Sequence, residues 1–73
     1  MFDKVKDILV SECSINESDI TPDAELVNDL GLNSLELADL VLYCEEEFDI
    51  EIPDEDLRKF ITVGDIVDYL SNL

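Results

Sequence analysis

The chain has 73 residues, which is room for one small domain with a limited hydrophobic core. Hydrophobic residues make up 47% of the sequence, which predicts a folded domain rather than a disordered segment. Twenty acidic residues against four basic ones give a formal net charge of −16, which argues against binding to nucleic acid or anionic membranes and favours basic protein partners. We therefore expect residues 1–73 to form one monomeric domain that does not insert into a membrane.

Apolar residues recur at helical spacing over residues 2–13 and predict a first helix there. They are Phe2, Val5, Leu9 and Cys13. A long connection over residues 14–32 follows. Because few loops in compact domains are this long, we expect a short helical turn near its end.

A second helix is predicted from Ser34 to Phe48. Asn33 is a favourable N-cap residue, and Glu36, three positions later, can complete a capping box. The side of this helix that faces the core is expected to consist of Leu37, Val41, Cys44 and Phe48, with Leu40 beside them.

The opposite face of the second helix carries Leu35 and Leu42 among acidic residues. Single exposed leucines are common on protein surfaces. Two of them close to the start of one acidic helix face predict a docking surface for a partner protein. The residues predicted to bind partners are Asn33, Leu35, Glu36, Asp39, Leu42 and Glu46.

Two further helices are predicted after Asp49. Residues 50–52 alternate like a strand but are too few, and Pro53 ends them, so we expect a loop. Residues 54–59 suit a short third helix with acids at its start and bases at its end.

Thr62 and Asp65 predict a capping box for a fourth helix. Its core residues are expected to be Val63, Ile66, Val67, Leu70 and Leu73. The predicted fold class is all-α, a four-helix bundle with a long first loop and a short third helix.

Ser34 stands at the first position of the second helix, after a bend at Gly31. A phosphate esterified to its hydroxyl would lie beside free backbone N–H groups and the positive end of the helix dipole. The site therefore suits a phosphodiester. The same pattern also occurs as an ordinary loop followed by a capped helix.

The segment around Ser34 resembles the acyl carrier protein family, whose hallmark is an aspartate-serine-leucine triplet at the start of the second helix. Here the triplet reads Asn33-Ser34-Leu35, so the residue before the serine keeps its capping ability but lacks the negative charge. The resemblance continues along nearly the whole chain, through Asp29-Leu30-Gly31, Glu45-Glu46-Glu47-Phe48-Asp49, Ile52-Pro53-Asp54-Glu55 and Thr62-Val63-Gly64-Asp65.

This resemblance implies a freestanding bacterial carrier in which Ser34 holds a 4′-phosphopantetheine arm derived from coenzyme A. The thiol of the arm would hold acyl groups as thioesters. The implied partners are a phosphopantetheinyl transferase and the acyl-processing enzymes of fatty-acid biosynthesis. Carriers of polyketide, peptide or D-alanine pathways share the architecture, and an acidic interaction module without a prosthetic group is the remaining alternative.

The resemblance also implies that acyl chains enter an apolar space between the second and third helices. In this chain that space would be lined by Leu26, Val41, Cys44, Ile52, Leu57 and Phe60. Because interiors pack densely, we expect the large Phe60 ring to fill part of the room that the small Cys44 leaves and to act as a gate.

The sequence does not favour an enzyme or a metal protein. It has no histidine, and no general base or serine-centred triad can be assembled around Ser34. The two glycines lie in no calcium-binding loop, and Cys13 and Cys44 predict buried free thiols rather than a zinc site. No signal peptide or membrane span is evident, so we expect a cytoplasmic protein.

Overall fold

The computed structural model describes all residues from Met1 to Leu73. Four α-helices are present, α1 (Phe2–Cys13), α2 (Ser34–Phe48), α3 (Asp54–Leu57) and α4 (Val63–Ser71). The chain has no β-strand, and the all-α class with a long first loop and a short third helix is confirmed. None of the helices combines the length and the apolar character needed to cross a bilayer.

The core consists of 15 buried side chains, all of them apolar or cysteine. Helix α1 packs against both α2 and α4, and the side chains of Val5, Leu9, Leu40 and Val63 are completely buried between them. No charged or polar side chain is buried. The interior is therefore stabilised by hydrophobic burial, and the acidic residues lie outside it.

Helix α2 begins and ends where the sequence predicts. At its start the side chain of Asn33 accepts the Glu36 N–H at 2.8 Å, and the Glu36 carboxylate accepts the Asn33 N–H at 3.2 Å. At its end Asp49 takes a left-handed conformation with φ 54°, and its N–H bonds to the carbonyl of Glu45. The capping box thus satisfies two backbone donors and sets the residue at which the helix begins.

The fully buried part of the core-facing side of α2 is shorter than predicted. Leu40, Val41 and Cys44 are buried, whereas Leu37 and Phe48 are only partly buried. Phe48 lies at the end of the helix, where the ammonium group of Lys4 stands 5.9 Å from the centre of its ring. Of the residues predicted to face the core, the fully buried ones therefore lie away from both ends of the helix.

The loop between α1 and α2 is held by backbone hydrogen bonds. Its one 3₁₀ helix, Glu17–Asp19, lies near the start of the loop rather than near the end, where a helical turn was expected. The end of the loop instead forms hydrogen-bonded turns, in which Asp29 donates to the carbonyl of Glu25 at 2.9 Å and Gly31 to that of Val27 at 3.1 Å.

The loop is attached to the start of α4 by three backbone hydrogen bonds. Leu26 donates to the carbonyl of Ile61 at 2.9 Å, and Val63 donates to that of Ala24 at 3.0 Å. The third bond runs from the N–H of Gly64 to the carbonyl of Pro22, at 2.8 Å. These bonds hold Leu26 against the interior, where its side chain is completely buried.

Two expectations about the C-terminal third need correction. Helix α3 ends at Leu57, before the predicted Lys59, because the next residues form tighter turns in which Lys59 donates to the carbonyl of Asp56 at 3.1 Å. The predicted core position of Leu73 is wrong. Helix α4 ends at Ser71, so the helical spacing does not reach Leu73, whose side chain is 67% exposed.

The predicted capping box of α4 is confirmed. Thr62 Oγ1 accepts the Asp65 N–H at 3.2 Å, and the Asp65 carboxylate accepts the N–H groups of Thr62 and Ile61, both at 3.0 Å. These backbone hydrogen bonds lower the pKa of Asp65 below its ordinary value of 3.8. A folded-state pKa below the unfolded one stabilises the protein above pH 3.8, and this contribution is lost as the pH falls through the folded value.

Asp65→Asn is therefore expected to lower the melting temperature at pH 7, by the equivalent of roughly 0.3–1 kcal/mol for a charge in the first helical turn. The difference from the unsubstituted protein should shrink below pH 3.8, as the pH falls through the lowered pKa of the folded state. Asp68→Asn is the matched control, because its side chain is exposed on the same helix and the charge change is equal. Circular dichroism melts across this pH range measure the effect, and equal behaviour of the two variants would contradict it.

Candidate functional site

Ser34 is the first residue of α2, and its side chain is exposed. Leu32, two positions earlier, is only 2% exposed. Gly31, directly before Leu32, turns the chain with a left-handed φ of 73°. The buried leucine and the turn before it thus present the serine hydroxyl to solvent at a defined position.

The start of α2 is a favourable place for an anionic group on Ser34. The first backbone N–H groups of a helix have no acceptor within it, and the helix dipole adds a partial positive charge. Of these donors, the N–H of Glu36 is already bound by the Asn33 side chain, which leaves those of Ser34 and Leu35 for an incoming group. A phosphodiester on Ser34 would be stabilised by this arrangement.

A cavity of about 290 Å³ opens beside Ser34, between the first half of α2 and the segment that carries α3. Eight of its ten lining residues are hydrophobic. Four of the predicted pocket residues line it, namely Leu26, Val41, Leu57 and Phe60. Their contact with an acyl chain stays a prediction. Sequence reasoning did not place six further residues at this cavity, and these are Ser34, Leu37, Ala38, Leu40, Arg58 and Ile66.

Cys44 and Ile52, which were also predicted to line the pocket, lie outside the cavity lining. Both are buried, with 1% and 7% of their surfaces exposed. The lining residues of α2 end at Val41, and Cys44 is almost one turn further along the helix. Ile52 donates its N–H to the carboxylate of Glu45 at 2.8 Å, so it lies toward the end of α2 that is far from Ser34.

The Phe60 ring has a fixed neighbour on the side of α4. It packs edge-on against Tyr69, with 5.4 Å between the ring centres. The Tyr69 hydroxyl donates a hydrogen bond to Asp56 at 2.9 Å, which raises the pKa of Tyr69. Tyr69 thereby connects α4 to α3 and supports the aromatic wall of the cavity.

The two thiols are poorly suited to react at neutral pH. Burial raises the pKa of Cys44 to about 11 and also raises that of Cys13, which is only partly buried. A thiol with a raised pKa stays protonated and is a weak nucleophile. Neither residue would therefore compete effectively with another thiol for an acyl group.

The residues predicted to bind partners lie at the surface near the start and along the outer face of α2. Leu35 and Leu42 are 72% and 54% exposed, and Asp39 and Glu46 are exposed beside them. Glu36 is half-buried because its carboxylate belongs to the capping box. Val27 of the first loop and Ile61 before α4 are also exposed, at 53% and 59%.

A second, larger depression of about 550 Å³ lies between α1 and α2. Six of its eight lining residues are polar or charged, and Ser34 is not among them. An open polar groove of this kind would not shelter an apolar chain. The smaller apolar cavity is therefore the one that belongs to the site at Ser34.

The capped start of α2 with its exposed serine, the apolar cavity beside it and the acidic helical bundle fit the class of phosphopantetheine-dependent carrier domains. The family model described as "Phosphopantetheine attachment site" matches residues 3–70. Acyl carrier proteins from three type A strains of Clostridium perfringens are 46% identical over 71 residues, which cover 97% of this chain and 93% of each relative. The chain belongs to the acyl carrier protein family, and its cofactor is 4′-phosphopantetheine, which confirms the resemblance noted in the sequence.

Proposed function

We propose that this protein carries acyl intermediates of fatty-acid biosynthesis as thioesters on a 4′-phosphopantetheine arm attached to Ser34. Residues 1–73 act as one carrier domain. The observation that carries the proposal is the exposed Ser34 hydroxyl at the start of α2, on the rim of an apolar cavity. The similarity to acyl carrier proteins of Clostridium perfringens supports the choice of fatty-acid biosynthesis.

The residues around Ser34 fit such an arm. When bound, the arm supplies a terminal thiol that holds acyl groups as thioesters. The capping box of Asn33 and Glu36 keeps Ser34 at the first helical position, and the free N–H groups and helix dipole favour the phosphodiester. The apolar cavity walls would exclude water from a bound acyl chain. The protonated Cys13 and Cys44 thiols would leave the thioester intact.

The chain itself supplies no catalysis in this proposal. It contains no histidine, and the carboxylate closest to Ser34 in sequence, Glu36, is bound to the Asn33 N–H at 3.2 Å. Partner enzymes would therefore perform both the attachment to Ser34 and the chemistry on the acyl group. We infer that the protein acts in the cytoplasm, where its two free cysteines would stay reduced.

Loading of the protein with the arm tests the proposal. Apo-protein is incubated with a phosphopantetheinyl transferase and coenzyme A, and intact mass and peptide mapping are recorded. We expect one added phosphopantetheine, on the peptide that contains Ser34. The loaded protein is then offered malonyl, long-chain acyl, aminoacyl and D-alanyl donors with their transferases. Absence of any mass gain would refute the carrier role, and a gain on another peptide would refute attachment at Ser34. Acceptance of D-alanine or amino acids alone would refute the fatty-acid pathway.

Asn33→Asp is expected to be modified as fast as the unsubstituted protein or faster. Aspartate caps a helix about as well as asparagine does, and it restores the charge that the family carries before the serine. The measurement is the initial rate of mass gain with limiting transferase. Asn33→Ser, which keeps the cap without charge, is the control. Clearly slower modification of Asn33→Asp would count against a role of this position in recognition.

We propose that the outer face of α2 binds basic surfaces of the transferase and of acyl-processing enzymes. Leu35 and Leu42 would act as apolar contacts, surrounded by acidic residues. Asp39→Lys with Glu46→Lys is expected to slow association with the transferase at low salt by roughly tenfold, because rim charges act mainly on the association rate. The effect should weaken as salt shortens the Debye length.

Two other charge reversals bear on the interpretation of these rates. Asp68→Lys reverses a charge at an exposed position on α4 and serves as the control. Glu36→Lys is less informative, because it would also remove the carboxylate of the capping box. Association rates are read by stopped-flow fluorescence at several ionic strengths. Rates at low salt that are unchanged, or reduced equally by Asp68→Lys, would show that this face is not the docking surface.

A further inference from the structure

Only two residues of the cavity wall beside Ser34 are not hydrophobic, and they are Ser34 itself and Arg58. Arg58 is the only arginine among the four basic residues of the chain. It follows the last residue of α3 directly and has a helical conformation, with φ −68° and ψ −15°. The backbone of α3 thus places Arg58, the one arginine of the protein, on the wall of the same cavity as Ser34 of α2.

Arg58 has no acidic partner, although acids outnumber bases by twenty to four. The ion pairs of the protein join Lys6 to Glu17 at 3.3 Å and Lys59 to Asp56 at 3.4 Å. Neither pair includes Arg58, and its side chain donates no hydrogen bond to another residue of the chain. Arg58 is exposed to solvent. The guanidinium is therefore free to bind a different anion.

A phosphodiester on Ser34 is the anion that this arrangement suits. It would carry one negative charge on a domain whose net charge is already −16, so a nearby cation would relieve repulsion. The planar fork of an arginine binds two phosphate oxygens at once, which a lysine cannot reproduce. The long side chain of Arg58 can also keep its charged end at the cavity rim while its methylene groups lie along the apolar wall.

We propose that Arg58 is a positioning residue that binds the phosphodiester on Ser34 and holds the base of the arm against the rim of the cavity. This inference rests on the proposed function, since it requires an arm on Ser34. Arg58 would then connect α3 to the start of α2 in the loaded protein. The contact would stabilise the short α3 and direct the rest of the arm toward the apolar wall formed by Leu57 and Phe60.

The adjacent Lys59 provides a matched control. It carries the same charge one position along the chain, but its side chain is 74% exposed, pairs with Asp56 and does not line the cavity. Arg58→Gln and Lys59→Gln therefore change the net charge equally, and only Arg58→Gln should remove the contact with the phosphodiester. Arg58→Lys keeps the charge without the planar fork and should restore the contact only in part.

The test compares apo and fully loaded forms of these variants, with loading verified by intact mass. In the unsubstituted protein and in Lys59→Gln we expect the same ³¹P resonance of the phosphodiester and the same change in melting temperature on loading. In Arg58→Gln the resonance should shift, and the change on loading should be less favourable by about 4 °C or more at low salt. Use of the arm with its free thiol excludes an acidic acyl group as the anion.

Identical ³¹P resonances and identical loading effects in Arg58→Gln and Lys59→Gln would overturn this inference while leaving the proposed function intact. Failure of the unsubstituted protein to gain the arm would instead refute the proposed function. Added salt offers an independent check, because screening should reduce the difference between the two variants. A difference that persists unchanged at high salt would show that Arg58 acts through packing rather than through its charge.

Discussion

Ser34→Ala is expected to abolish attachment of the phosphopantetheine arm completely while the protein keeps its fold. Removal of the hydroxyl leaves no oxygen at this position to esterify. The side chain of Ser34 is exposed, and the capping box depends on Asn33 and Glu36 instead. Alanine is also a favourable helix residue. We therefore expect the free energy of unfolding to change by less than about 0.5 kcal/mol.

Intact mass after treatment with transferase and coenzyme A measures the loss of attachment, and chemical denaturation measures the stability. Ser18→Ala is the control, because Ser18 is an exposed serine in the 3₁₀ helix of the first loop and should leave loading unchanged. If Ser34→Ala still gains one arm, another residue is the attachment point. If it unfolds, the start of α2 depends on the serine in a way that its contacts do not indicate.

Gly64→Ala is expected to destabilise the protein by roughly 1–3 kcal/mol, a large share of the 5–15 kcal/mol typical of small domains. In an exposed helix the same change would stabilise by about 1 kcal/mol. Here the new Cβ would stand 2.9 Å from the carbonyl oxygen of Pro22. That oxygen belongs to the backbone and accepts the Gly64 N–H at 2.8 Å, so the clash can be relieved only by moving the first loop away from α4.

Gly31 is the internal comparison for this prediction. A Cβ added there meets no atom within 4 Å, and the only constraint is the left-handed φ of 73°. Asparagine tolerates that conformation, so Gly31→Asn should remain close to native stability, whereas Gly64→Asn should be as unstable as Gly64→Ala. Urea denaturation gives all the values. Native or increased stability of Gly64→Ala would show that the contact with Pro22 does not restrict residue 64.

Local signals in the sequence determined where helices α2 and α4 begin. Asn33 with Glu36, and Thr62 with Asp65, form both predicted capping boxes. A capping box needs only residues three positions apart, so its geometry follows from the chain itself. The start of α2, with the exposed Ser34, was predictable for this reason, whereas α1 has no side-chain cap and its bounds were predicted from the spacing of its apolar residues. The cofactor was predicted from the resemblance of nearly the whole chain to one family.

Only the tertiary structure decided which residues meet across the molecule. Arg58 and Ser34 share a cavity although no local pattern connects them, and Cys44 is excluded from it because the lining of α2 ends at Val41. The requirement for glycine at position 64 likewise comes from Pro22, forty-two positions earlier in the chain. Helical periodicity tells which face of a helix is buried, but not which segment covers each turn of that face. That choice depends on the path of the loops, whose backbone bonds join residues far apart in sequence.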